Sequence, residues 1–329
     1  MLRWGMLSTA KIAREQVIPA HLSARGNCIS TIASRDVSRA QQVADQFQIP
    51  YVAESYEALL QSDQVDAVYI PLPTSQHIEW SIKAANAGKH VLVEKPLALT
   101  ADDILPVQAA AKANGVIVAE AFMVHYHPQW QQVRQWLSSG AIGRLRHIQG
   151  AFSYFNRDPD NMRNKLELGG GGIPDIGVYP MVTARMATGC EPLKIRADVE
   201  FDPDFGTDRY ANVQCQFADF DLSFYVSMTM ALHQSMKFHG EEGYIQIDAP
   251  FNPGLYGDAV ISLWNQNHTI VETKRFAGVN QYQCQAEAFA DAVISGDASG
   301  LFSLESSVAN QRALDAIFKS NENGAWVAV

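Results

Sequence analysis

Val91-Leu92-Val93-Glu94-Lys95-Pro96-Leu97 is the stretch whose reading decides the fold. Three apolar residues, two of them β-branched, follow Gly88-Lys89-His90 and predict a strand covered on both faces, as in the middle of a parallel sheet. Glu94 and Lys95 then fall at its carboxyl end. Ligands bind at that edge in open α/β sheets, so a lysine delivered there by a rigid strand is placed for chemistry. The alternative is an ordinary ion pair at a strand end.

Upstream, a first strand runs to about Leu7, and Ser8-Thr9-Ala10-Lys11-Ile12-Ala13 opens a helical spacing. Strand, tight turn and helix are the context of a phosphate-binding turn. Of the glycines such a turn uses, Gly5 alone is present. Ser8 and Ala10 stand at the later positions, where Ala still permits close helix packing and Ser can donate a hydroxyl to phosphate. Gly5, Ser8, Thr9, Ala10 and Ile12 are therefore candidate cofactor residues.

The next strand, Cys28 to Ala33, ends in Ser34-Arg35-Asp36 before a helix from Ser38 to Phe47. An acidic residue at that strand end suits the ribose hydroxyl of NAD, whereas Ser34 and Arg35 suit a 2′-phosphate, which leans the reading to NADP with NAD possible through Asp36. Val65 to Ile70 reads as a further strand running into Pro71-Leu72-Pro73-Thr74-Ser75-Gln76-His77. The two prolines stiffen this loop at the same edge. Pro71, Leu72, Thr74 and His77 are candidates for lining a cofactor pocket, and Ser75 for capping the helix Ile78 to Ala87. A helix from Ala101 to Asn114 and a strand from Val116 to Ala119 complete five alternations of strand and helix. Those call for a doubly wound parallel sheet, a Rossmann domain over residues 1–122.

After Glu120-Ala121-Phe122-Met123 the pattern changes. A helix is expected from His125 to Ser139, then strands at Leu145 to Tyr154, Lys194 to Phe201, Tyr210 to Phe217, Asp221 to Met230, Met236 to His239, Gly243 to Asp248 and Ala259 to Trp264. Many alternate apolar and polar residues, as in a sheet with one face buried. Helices Gln283 to Ile294 and Leu304 to Lys319 close the chain. Residues 123–329 thus read as an α+β domain with a large, mostly antiparallel open-faced sheet, whose apolar face at Phe224, Val226 and Met228, or their alternates, is available to a partner sheet. Within it, Gly169-Gly170-Gly171-Gly172 precedes Ile173-Pro174-Asp175-Ile176-Gly177-Val178-Tyr179. Four glycines imply close approach to the main chain or positive φ. Pro174 suits a first helical turn, which sets Asp175 and Tyr179 on one face near a helix amino-terminus that favours a phenolate. The alternative is a hinge followed by a core tyrosine beside a buried aspartate.

At 329 residues two domains are expected, and a net charge of −10 argues against non-specific binding to nucleic acid, which needs clustered Lys and Arg. No apolar run reaches the roughly 20 residues of a membrane span. Four scattered cysteines with no metal-ligand spacing suit reduced thiols, and the opening reads as a strand rather than a signal peptide, so a cytoplasmic location and no metal are expected.

Together these stretches resemble the glucose-fructose oxidoreductase, inositol dehydrogenase and rhizopine-catabolism oxidoreductase family, written Gfo/Idh/MocA. The resemblance covers essentially the whole chain, and it rests on Trp4 to Ala13, Tyr69 to His77, Gly88 to Ala98, Glu120 to Met123 with His127-Pro128-Gln129, and Gly169 to Tyr179. Tyr179, where inositol dehydrogenases carry histidine, makes the chain similar to the branch of D-xylose 1-dehydrogenases, glucose-fructose oxidoreductase and dimeric dihydrodiol dehydrogenases. The resemblance implies NADP, Lys95 near the reacting hydroxyl and nicotinamide, Tyr179 as proton donor or acceptor, Asp175 orienting a sugar hydroxyl or Lys95, and Glu94 fixing the lysine or contacting the cofactor. It also implies Phe122 and His125 beside the substrate, a cis Lys95-Pro96 bond, and a homodimer or homotetramer formed through the second sheet. Val124-His125 departs from the aromatic-arginine pair of many relatives, which exposes substrate preference. Trp130 and Trp264 are structural candidates that could also stack on a sugar. The expected function is hydride transfer between NADP and a cyclic sugar or related polyol. The alternatives are a trans-dihydrodiol dehydrogenase, a sugar-sugar oxidoreductase with tightly bound NADP, and a catalytically silent NADP sensor.

Overall fold

Runs of buried residues form five strands of a six-stranded parallel sheet, and a short, more exposed edge strand completes it. The six are β1 (Leu2–Leu7), β2 (Asn27–Ala33), β3 (Tyr51–Ala53), β4 (Ala67–Ile70), β5 (His90–Val93) and β6 (Val118–Glu120), in the order β3-β2-β1-β4-β5-β6. They are linked through α1 (Ile18–Ser23), α2 (Val37–Phe47), α3 (Tyr56–Leu60), α4 (His77–Asn86) and α5 (Leu105–Asn114). Val91, Leu92 and Val93 are fully buried, as a strand covered on both faces requires. The order reverses between β1 and β4, and an open α/β sheet binds its ligand at such a switch point. Gly5 sits at the middle of β1 because a Cβ there would come within 2.5 Å of the Leu59 side chain on α3. The sequence reading missed β3, a three-residue edge strand too short for a periodicity. The computed structural model describes residues 1–255 and 257–329.

The second sheet has nine strands in the order β14-β13-β12-β11-β7-β10-β9-β8-β15. Its elements are α6 (Pro128–Ser138), β7 (Leu145–Phe155), α7 (Val178–Thr188), β8 (Lys194–Phe201), β9 (Asp208–Gln216), β10 (Asp221–Ser227), β11 (Thr229–Gly240), β12 (Gly243–Ile247), β13 (Val260–Asn265), β14 (Ile270–Arg275) and β15 (Val327–Ala328). All pairings are antiparallel except β7 with β10. Alternation puts Ile148, Phe152, Leu222, Phe224, Val226, Met236 and Phe238 on the inner face. Phe224, Val226 and Met228 are therefore not free for a partner sheet, since each is at most 3% exposed. A single strand Asp221 to Met230 was expected, but the chain crosses the end of β7 at Met228. The Met228 carbonyl accepts from Asn156 N at 2.9 Å, and β10 and β11 flank β7 on opposite sides.

The last helices are α8 (Gln281–Ser295) and α9 (Leu304–Asn323). The chain divides into one unit of Met1–Tyr126 with Asn280–Val308 and another of His127–Val279 with Ala309–Val329. A linear division at residue 122 differs from this chiefly in Asn280–Val308. That segment joins the first unit because Phe289 of α8 packs against Trp4 at 5.1 Å between ring centroids, and Phe302 against Phe122 at 4.9 Å.

Candidate active site

At the carboxyl edge of the first sheet, a cavity of about 200 Å³ is lined by Ser8, Thr9, Ala10, Ser34, Arg35, Asp36, Arg39, Tyr56, Leu72, Pro73 and Gln76. It unites five of the expected cofactor residues from β1 and β2 with Leu72 from the proline loop. Arg39 had not been anticipated; it lies in the first turn of α2, just past the Asp36 cap. Ser8 has φ 132°, a conformation ordinarily reserved for glycine, so the turn keeps glycine geometry while presenting a hydroxyl. Asp36 is committed to α2, where its Oδ1 accepts from Ser38 N at 3.0 Å, Ser38 Oγ at 2.6 Å and Arg39 N at 3.3 Å. Those donors hold its carboxyl below the usual range. Gly5 lies in β1 and Ile12 at the helix entry, neither among the lining residues.

The Glu94–Leu97 loop is gripped from three directions, and the Lys95–Pro96 bond is cis. Tyr69 on β4 donates its hydroxyl to Glu94 Oε1 at 2.5 Å, and Lys95 N donates to Glu94 Oε2 at 3.2 Å. His77 does not aim a nitrogen at the cavity. Its ring is 1% exposed, with Nδ1 2.8 Å from the Pro96 carbonyl oxygen and Nε2 2.7 Å from that of Leu72, so it ties the proline loop to the lysine loop. Two carbonyl acceptors favour an imidazolium. Burial outweighs them, joined by the repulsion of Lys95, and pushes the ring down to about 4. From β6, Glu120 accepts from Leu97 N at 2.8 Å, and Ser307 donates to it as well. Burial raises this carboxyl to about 7. Pro71 is buried, and Thr74 opens the short turn before α4. Phe122 is wholly buried against Phe302, and His125 packs on Tyr126 and Phe302, so within this unit both serve packing.

In the second unit the glycine run is a cradle for a carboxylate. Asp208, at the start of β9 and 3% exposed, accepts from Ile173 N at 2.5 Å and from Gly172 N. Gly171, at φ 135°, leaves the space the carboxylate occupies, and a Cβ on Gly170 would run into the Arg163 carbonyl. Burial still lifts the Asp208 carboxyl to about 7. The helix beyond begins as a wide five-residue π turn, Ile173–Gly177, and continues as α7. Asp175 Oδ2 receives Arg163 Nε at 2.8 Å and the Tyr154 hydroxyl at 2.7 Å. Tyr179 is 4% exposed, its ring stacked on Phe251 at 5.5 Å and tilted against Phe152 at 5.7 Å. Nothing local in the sequence marked Tyr154, Arg163 or Asp208, because each reaches this helix from a distant element. Trp130 is wholly buried and hydrogen-bonded to the Pro250 carbonyl, whereas Trp264 stacks against both Tyr244 and His268, which are in contact with each other.

Among the described residues no cluster of side chains could hold a metal ion, and no helix is long and apolar enough to cross a membrane. Two family models match the chain. The oxidoreductase family model with an NAD-binding Rossmann fold matches residues 2–122, and the GFO/IDH/MocA C-terminal domain matches residues 130–246. The chain is 39% identical to an uncharacterized oxidoreductase of Rhizobium meliloti, covering 100% of this chain and 99% of that one. It is 34% identical to a D-xylose 1-dehydrogenase (NADP(+)) of Haloferax volcanii, over 99% of both. Among solved structures, a 3-ketoreductase from Actinomadura kijaniata in complex with NADP and TDP-benzene superposes with a TM-score of 0.91 at 30% identity over 97% of both chains.

Proposed function

The chain belongs to the Gfo/Idh/MocA oxidoreductase family, and on that premise we propose that it is an NADP-dependent oxidoreductase that interconverts a hydroxyl and a carbonyl on a cyclic sugar or related polyol. The observation that carries the reading is the buried Tyr179 at the start of α7, one turn beyond an Asp175 held by two donors.

NADP, when bound, supplies the hydride acceptor or donor. Ser8, Thr9, Ser34, Arg35 and Arg39 fit that group, for they bring hydroxyls and two guanidiniums to one cavity while Asp36, which an NAD reading needs at the ribose, caps α2 instead. NADP also appears in the names of the xylose dehydrogenase and the ketoreductase complex. Loss of hydride from a carbinol carbon must be matched by loss of its hydroxyl proton, and Tyr179 is the proton carrier in this reading. A phenol with an ordinary pKa near 10 is a poor base at neutral pH, so it needs a cation to stabilise the phenolate. Lys95 is assigned that role, held on the Glu94–Leu97 loop by Tyr69, His77 and Glu120. A homo-oligomer joined through the second sheet belongs to the same reading.

The test is direct. Purified protein mixed with NADP and a panel of aldoses, polyols and dihydrodiols should form reduced cofactor with at least one cyclic sugar, followed by its absorbance. Tyr179→Phe should lower turnover by about 10² or more while NADP binding persists. Unchanged turnover in that variant would remove Tyr179 from the mechanism.

A further inference from the structure

The surroundings of Tyr179 pose an electrostatic problem. Asp175 sits four residues before it, and a carboxylate there would oppose a phenolate. The helix start offers less help than a bare amino-terminus would, since Asp208 already accepts from Ile173 N and Gly172 N. Facing this pair are Tyr154 from β7, Arg163 from the short turn Met162–Asn164 and Asp208 from β9, while the rings against Tyr179 are those of Phe152 and Phe251. Arg163 is the cation of that set. Its Nε meets Asp175 Oδ2 at 2.8 Å, the Tyr154 hydroxyl donates to the same oxygen at 2.7 Å, and the guanidinium also interacts with Tyr179.

We propose that Arg163 is a positioning residue for the proton transfer. It fixes Asp175 beside Tyr179, offsets its negative charge, and holds the Tyr179 phenolate within reach of neutral pH. This rests on the reading of Tyr179 as proton carrier, and it adds a second source of positive charge, carried by the same unit as the tyrosine. A guanidinium suits the task because it stays protonated at every working pH, so the field on Tyr179 is constant. The backbone around it is arranged to the same end: Gly170 has no Cβ because the Arg163 carbonyl occupies that space, which ties the arginine turn to the glycine run.

The experiment compares Arg163→Gln, Arg163→Lys and Tyr179→Phe. In the oxidation direction the acid limb of the kcat/KM profile reports loss of the tyrosine proton, and Arg163→Gln should move it up by about one pH unit, with Arg163→Lys restoring most of the shift. An ultraviolet difference titration without substrate, using Tyr179→Phe to identify the Tyr179 signal, should show the same displacement. A folded Arg163→Gln protein whose limb and tyrosine titration coincide with the parent overturns the proposal. If Arg163→Gln does not fold, Arg163→Lys decides, since the charge is retained: a limb within a few tenths of a unit supports the proposal, and a full-unit shift overturns it. Activity surviving in Tyr179→Phe would instead strike at the underlying reading, which keeps the two failures apart.

Discussion

Glu120 shows what a single buried carboxyl does to the molecule. In the unfolded chain it titrates near 4.5, and in the folded protein near 7, so the folded state binds the extra proton between those values. Stability from this group is therefore greatest below about pH 4.5, is lost as pH rises toward 7, and changes little beyond. Glu120→Gln keeps an oxygen for Leu97 N without the ionisation, and should raise the unfolding temperature relative to the parent at pH 8 more than at pH 5. Equal differences at both pH values would show that the parent carboxyl ionises normally. At the cofactor cavity, Arg35→Ala should raise KM for NADP well beyond any change for NAD, as measured with each cofactor in turn. Equal effects would refute a role at the 2′-phosphate. The sequence announced Arg35 and Lys95 because each ends a predictable strand. It could not announce Glu120's partners or Asp208, since those contacts are made across 23 and 35 residues of chain.

The glycine run before α7 gave a clear signal in the sequence and a hidden cause in the structure. Consecutive glycines foretold close approach to the main chain, but the approaching group is the protein's own carboxylate rather than a ligand. Gly171→Ala would meet both an unfavourable φ and the Asp208 side chain, and should cost about 2–4 kcal/mol in urea unfolding. A loss under 1 kcal/mol would mean that β9 yields easily. Five of the six parallel strands were legible from consecutive apolar residues and four of the five first-sheet helices from their spacing, whereas β3 and the five-residue α3 were too short to show a period. The π turn at Ile173–Gly177 was not, because its wider pitch carries no periodicity that five residues could display. The crossover at Met228 was equally silent, since apolar alternation continues through it without a turn residue.

At the scale of the whole molecule, the first unit is discontinuous: residues up to Tyr126 need Asn280–Val308 to cover Trp4 and Phe122. A polypeptide of residues 1–126 should therefore lack a cooperative unfolding transition by circular dichroism. The same piece with residues 280–308 attached through a flexible linker should regain one. A cooperative transition in the short piece would show the return segment to be dispensable. That discontinuity also imposes an order on biosynthesis. With translation at about 5–20 residues per second, the stretch from His127 to Val279 keeps the nascent dinucleotide sheet waiting on the order of ten seconds for its last helix. Through that interval the indole of Trp4 lacks Phe289, so chaperone dependence should concentrate in the half of the protein made first.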